Sequence, residues 1–386
     1  MKRRRLYGRP RLSRDAERLA WLAQALADSG SRLEDHWLES EMSALIEKLL
    51  RGGDEEALNQ ALDRLHETQP RAYDDLADLI EAACEISRAG DSWHMVLAMP
   101  VLAWSRYAIP TRNLPQATLD ALRAQLCGHV LATDARVHFA NYLFSPDQLP
   151  QGYCDTRAFA EELWASAAAH RDLAVDGDGL PESQTFVSDV RYLIAVVVIP
   201  AGRPLFRWNE ADGNRESALA AWRAQAGANL QPLMTGCAHE MLLPDAYFSA
   251  WRRADRESRP FALRAAVEYL KSLFNVPASR LRAVAAPYYD RLLEEWRIGF
   301  TGIDSEEVVH GVTWPLLGGE EETTELAAGI EALLKETGLG EVRILDTRMP
   351  LEYCDDCGAP LFPNPEGESV HAELPEEMQG TPTHLH

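Results

Sequence analysis

Residues 192–200 read YLIAVVVIP, whose first eight residues are the longest apolar run in the chain that no proline interrupts. It is far below the roughly 20 apolar residues that a transmembrane helix needs. A short run rich in Val and Ile reads instead as a buried β-strand, here extended to 187–199. Working outward, residues 135–143 alternate weakly as a strand and 156–170 carry a helical period. Residues 203–208 read as a shorter strand, 216–230 as a helix and 237–243 as a strand. The resulting order, β-α-β-β-α-β, is that of a ferredoxin-like sandwich.

A second pass follows. Residues 259–274 read as helix and 281–289, 296–301 and 308–314 as strands, followed by a helix at 324–335 and a strand at 342–349. An ungapped offset of 106 positions aligns Arg191 with Arg297, Trp208 with Trp314, Ala221 with Ala327, Pro244 with Pro350 and Tyr247 with Tyr353. These matches point to an internal duplication.

Upstream, residues 13–128 read as helix after helix. Leu19, Leu22, Ala23 and Leu26 share one face, as do Leu38, Met42, Ile46 and Leu49, then Leu58, Ala61, Leu62 and Leu65, then Leu76, Leu79 and Ile80. Ser31 and Glu34 have capping-box spacing, and Gly30, Gly52, Gly53 and Gly90 supply breaks. The aromatics Trp93, Trp104 and Tyr107 mark a core or a domain interface.

The fold class expected is therefore α+β: a helical N-terminal domain, two tandem ferredoxin-like (βαββαβ) modules and an irregular acidic C-terminal tail. The expected boundaries are a basic arm at 1–12, the helical domain at 13–130, the modules at 131–247 and 248–352, and a Cys-containing tail at 353–386.

The net charge of −22 is unevenly distributed. Residues 1–14 hold seven Lys or Arg and no acid, whereas 303–386 hold 19 Asp or Glu against three basic residues. The arm is either a solvated tail, or a segment lying on the protein's own acidic surface, or a nucleic-acid contact through residues 2–14. The basic start lacks the apolar stretch of a signal peptide, so the cytoplasm is expected, with no membrane association. Six cysteines in a chain of 386 residues do not make a disulfide framework.

Two of them stand close together in YCDDCGAPLFPN, residues 353–364. Cys354 and Cys357 flank a tight turn, and Gly358 is free to adopt the positive φ that lets backbone N–H groups face the sulfurs, as in half a zinc knuckle. His371 lies fourteen residues on and His384 and His386 end the chain. Cys154 and Cys237 are further donors if the fold brings them near. The alternatives are a redox pair, disfavoured by Pro360 and Pro363 where a helix is needed, and a turn with unliganded cysteines. No P-loop, nucleophile elbow or HExxH motif is present. Arg191 and Arg297, on neighbouring strands with His138 and His239, are candidate anion-binding residues.

RLSRDAERL near the start, together with YCDDCGAPLFPN and EGESVHAELPE near the end, resembles an uncharacterised proteobacterial domain-of-unknown-function family over the whole chain. That resemblance implies a bacterial cytoplasmic protein treated as one unit, with no substrate or catalytic residue. The leading expectation is a binding or regulatory protein whose tail either holds a structural zinc site on Cys354, Cys357 and His371 or only forms a turn, its partner a protein or small molecule. The rivals are an enzyme acting in a cleft between the modules and a nucleic-acid-associated protein using the basic arm.

Overall fold

A computed structural model describes residues 12–318, 320 and 325–374. Four helices come first: α1 (Arg14–Asp28), α2 (Arg32–Gly52), α3 (Glu55–Thr68) and α4 (Pro70–Glu85). Their apolar stripes close on one another around Leu19, Met42, Leu58 and Leu76. Ser13 caps α1, its Oγ accepting from the Ala16 N–H at 3.1 Å. Ser31 does stand at the N-cap of α2, but its side chain makes no capping bond. Gly53 ends α2 at φ +67, the left-handed conformation that glycine adopts most cheaply.

The expected all-helical run to 128 is corrected over residues 86–105. These form β1 (Ile86–Ala89) and the long β2 (Ser92–Ser105), joined by a two-residue turn with Gly90 at φ +59. Onward run β3 (Arg112–Asn113), α5 (Gln116–Gln125), β4 (Arg136–Phe144), α6 (Tyr153–Ala168) and β5 (Ser188–Pro200). α7 (Arg215–Leu230), β6 (Cys237–Met241) and β7 (Asp245–Ala246) complete this part. The strand expected at 203–208 is instead a turn leading into a 3-10 helix, Arg207–Asn209.

These strands make one antiparallel sheet, ordered β1-β2-β5-β4-β3, with β6 and β7 also pairing along β2. In β5, Leu193, Ala195 and Val197 enter a core that includes Leu119 and Leu122 of α5 and Trp222 and Ala226 of α7. The alternate residues Tyr192, Ile194 and Val196 face Leu163 of α6. Burial on both faces is why YLIAVVVIP carries no polar alternation.

Then come α8 (Tyr247–Phe274), β8 (Leu281–Tyr289), β9 (Leu293–Gly302), β10 (His310–Pro315), α9 (Leu326–Glu336), β11 (Glu341–Ile344) and β12 (Met349–Pro350). A short hairpin, β13 (Phe362–Pro363) with β14 (Ser369–Val370), follows. The second sheet is ordered β10-β9-β8-β11, with β11 and β12 parallel to β8. Ile298 and Phe300 pack on one face against Leu263 and Leu270 of α8 and Ile330 and Leu334 of α9. On the other face β13 crosses β9 so closely that a Cβ at Gly299 would lie 2.3 Å from the Pro363 carbonyl oxygen.

α8 is 28 residues long and belongs to both sheets. Tyr247, Ala250 and Ala254 pack with the first, Leu263, Ala266 and Leu270 with the second. A boundary at 247/248 would therefore strip the first sheet of a helix that fills its core. Trp104, at the end of β2, packs against the core of the second sheet. The tail described as irregular is part of the fold over 353–374, with Phe362, Asn364 and Ala372 buried.

Candidate metal centre

After β12 the chain leaves the sheet edge, with the Leu351 N–H donating to the Tyr289 carbonyl at 2.9 Å. The Cys354 N–H donates to the Ala359 carbonyl and the Gly358 N–H to the Cys354 carbonyl, each at 2.8 Å. Gly358 stands at φ +72 with open space around its Cα, so its requirement is conformational. The turn aims the N–H groups of Cys357 and Asp356 at the Cys354 sulfur. Those bonds favour the thiolate and hold the Cys354 thiol below its ordinary range.

The hairpin β13–β14 brings the third residue back. Its turn is built by Asn364, whose Oδ1 accepts from the N–H groups of Glu366 at 3.0 Å and Glu368 at 2.9 Å. Ala372 packs with Val308 and Phe362, and the Glu373 N–H donates to the Val308 carbonyl at 2.9 Å. His371 is thus fixed by its neighbours, with Nε2 3.3 Å from the Cys357 sulfur. Its Nδ1 lies 3.2 Å from Glu373 Oε1, the carboxylate partner that leaves the Nε2 lone pair facing the sulfurs.

One donor atom from each of Cys354, Cys357 and His371 falls within 4.8 Å of the others, and this is the cluster of metal-ligating side chains found among the described residues. Zn–S and Zn–N bonds of about 2.3 and 2.1 Å in a tetrahedron separate sulfur from nitrogen by roughly 3.6 Å. The observed contact is close to that. Two thiols and an imidazole suit zinc by donor softness, and three protein ligands leave a fourth position. Cys154 and Cys237 do not join: the Cys154 N–H donates to Glu55 Oε2 at 2.7 Å, and Cys237 lies in β6 of the first sheet. His384 and His386, like residues 1–11 of the basic arm, lie outside the described residues.

Arg191 and Arg297 are not brought together. Arg191 is buried in the first sheet, ion-paired with Asp189 and donating to the carbonyls of Ile109 at 2.7 Å and Pro110 at 3.1 Å. Arg297 is buried in the second, its Nε 2.6 Å from Glu295 Oε1. Its Nη1 donates to the carbonyls of Glu352 at 2.6 Å and Leu361 at 2.8 Å. Its guanidinium lies between the rings of Tyr288, at 4.4 Å, and Tyr353, at 4.8 Å. Sequence reasoning missed that Arg297 grips both ends of the Cys354–Cys357 loop. The aligned tyrosine, Tyr353, was the available signal.

The family profile described as "Protein of unknown function (DUF2863)" matches residues 4–385. The chain belongs to this family. Its match to DUF2863 spans the helical layer, both sheets and the cysteine turn, which are parts of one family unit. No curated protein and no solved structure matches the chain. Among the described residues no helix is long and apolar enough to cross a membrane.

Proposed function

We propose that this protein is a cytoplasmic binding or regulatory protein whose C-terminal segment is fastened by a zinc ion on Cys354, Cys357 and His371. The observation that carries this reading is the meeting of three soft donors across a fourteen-residue gap, with a carboxylate behind the imidazole. A metal there would close the loop between Cys357 and His371 and hold the segment against β9. The six free thiols fit a reducing compartment.

The strand order β6-β2-β5-β4, with α5 and α7 on one face, supports reading the first sheet as ferredoxin-like, with β2 as its opening strand. The second sheet has a different order, and its β11 is parallel to its neighbour where β6 is antiparallel. The aligned residues are thus better explained by a shared local device than by a duplicated module.

The test is elemental analysis of the purified full chain beside a Cys354→Ser/Cys357→Ser variant. Near-stoichiometric zinc, lost in the variant, is expected, because a structural site is nearly full. Less than about 0.2 zinc per wild-type chain would sink the reading. The nucleic-acid rival predicts affinity that falls with salt and disappears when residues 2–11 are deleted.

A further inference from the structure

A second site lies in the first sheet, away from the cysteines. A cleft of about 670 Å³ opens beside β4, lined by Arg123, Arg136, His138, His170, Arg171 and Asp172 among others. Its volume is that of a pocket for a small organic ligand.

The charges in this cleft are unequally committed. Asp172 is saturated: its two oxygens take Arg123 Nη2 at 2.7 Å each, and Oδ1 also accepts from the Phe139 N–H at 2.8 Å. Arg123 is further paired with Asp120 at 2.6 Å. Arg136 and Arg171, by contrast, form no ion pair or hydrogen bond through their side chains among the described residues. Among the described residues these two guanidinium charges have no counter-ion, in a protein whose net charge is −22.

Two imidazoles stand beside them, the rings of His138 and His170 being 6.3 Å apart. His170 is held at φ +54, just past the end of α6, where glycine is the usual residue. A side chain there costs strain that is commonly retained at ligand sites. The position is fixed by the chain end: the His170 N–H donates to Ala167 and the Arg171 N–H to Ser166, at 2.9 and 3.1 Å. Leu173 then pairs along β4, its N–H donating to the Phe139 carbonyl at 2.7 Å. Burial first, then the charges of Arg123, His170 and Arg136, push the His138 imidazole below its ordinary range, against a raising pull from Asp172.

We infer that this cleft binds a small ligand through a phosphate group, whose two negative charges match the uncommitted guanidiniums of Arg136 and Arg171. Guanidinium forks suit phosphate oxygens, and the imidazoles supply further donors once the anion is present. Val137, Leu173 and Ala174 give the apolar wall for the rest of the ligand.

The experiment titrates inorganic phosphate and pyrophosphate into the full chain by calorimetry, against potassium chloride at matched ionic strength, with malonate as a dicarboxylate probe. The variants are Arg136→Ala/Arg171→Ala, whose side chains are exposed and unpaired among the described residues, and Arg51→Ala on α2 as a remote control. Phosphate binding at one site, weakened at least about tenfold in the double variant and unchanged in the control, is expected. The imidazole resonances of His138, held below its ordinary range in the free protein, should move toward the protonated form on binding. No heat above chloride, equal weakening in Arg51→Ala, or tighter binding of malonate than of phosphate would each overturn the inference. The Cys354→Ser/Cys357→Ser chain should bind phosphate as wild type does, which separates this site from the metal centre.

Discussion

The two sheets use the same buried device and cover it differently. In each, an Arg near the sheet centre pairs with an acid two residues earlier on the same strand face, Asp189 with Arg191 and Glu295 with Arg297. Each then donates to the carbonyls of a chain segment passing over it. The first sheet is closed on both faces by helices, so its arginine trims an already complete core. The second has helices on one face and, among the described residues, chiefly the segment 351–374 on the other, with Phe362 and Ala372 as apolar anchors. A sheet face covered by so little apolar surface needs directional bonds to hold its cover, and there Arg297, the two tyrosines and the Cys354–Cys357–His371 cluster converge.

The largest effect should come from the helix-covered side. Trp222 is fully buried between α7 and the first sheet, and its Nε1 donates to the Leu242 carbonyl at 2.9 Å. Trp222→Ala should cost about 3–5 kcal/mol in chemical denaturation while leaving metal content per folded chain unchanged. Next, Arg297→Met should cost roughly 3 kcal/mol, because Glu295 loses its partner and two carbonyls lose a donor. Its signature is local: proteolysis should reach residues 351–374 before the rest of the chain. Unchanged protection there would break the contrast between the two covers.

pH should separate the regions by sign. Burial pushes the Glu85 carboxyl, between α4 and the start of α8, up to about 7, and the Phe248 N–H donating to it only partly opposes this. The folded state then holds that proton more tightly than the unfolded chain does. Stability from this group is full below about pH 4 and is lost as pH rises toward 7, on the order of 2–3 kcal/mol. Glu85→Gln should flatten that slope in denaturation curves taken between pH 5 and 8. Metal affinity should run the other way and rise with pH, since both thiols must lose protons to bind. Smallest is Glu373→Gln, which weakens the carboxylate behind His371 and should lower zinc affinity roughly 10- to 100-fold in competition with a chelator dye.

How much of this was readable in the chain follows from which interactions are local. The helices α1 to α4 declare themselves through stripes that need only one neighbour each, and YLIAVVVIP through its unbroken run. β2 does not, because Pro100 argues against a central strand and the aromatics at either end suit many settings. It is tolerated because β6 and β7 pair on either side of Pro100, and its partners on the other flank come from residues 188–200. The candidate metal ligands were visible as CxxC with a later histidine, since the turn that shapes the cysteines is local. The return of His371 depends on a hairpin turn set by Asn364, and the grip of Arg297 on contacts more than fifty residues apart. The phosphate cleft was out of reach for the same reason: His170 enters it only because α6 ends where it does.

The 28-residue helix α8 sets how the molecule fails. At 1.5 Å per residue it is a rod of about 42 Å whose two ends are embedded in different cores. Pro260 lies between those ends and removes one of the bonds that stiffen the rod. Loosening either sheet strips one end of the rod of its packing and so taxes the other. The protein should therefore melt in a single step, and neither half should survive alone when the chain is cut on either side of that helix.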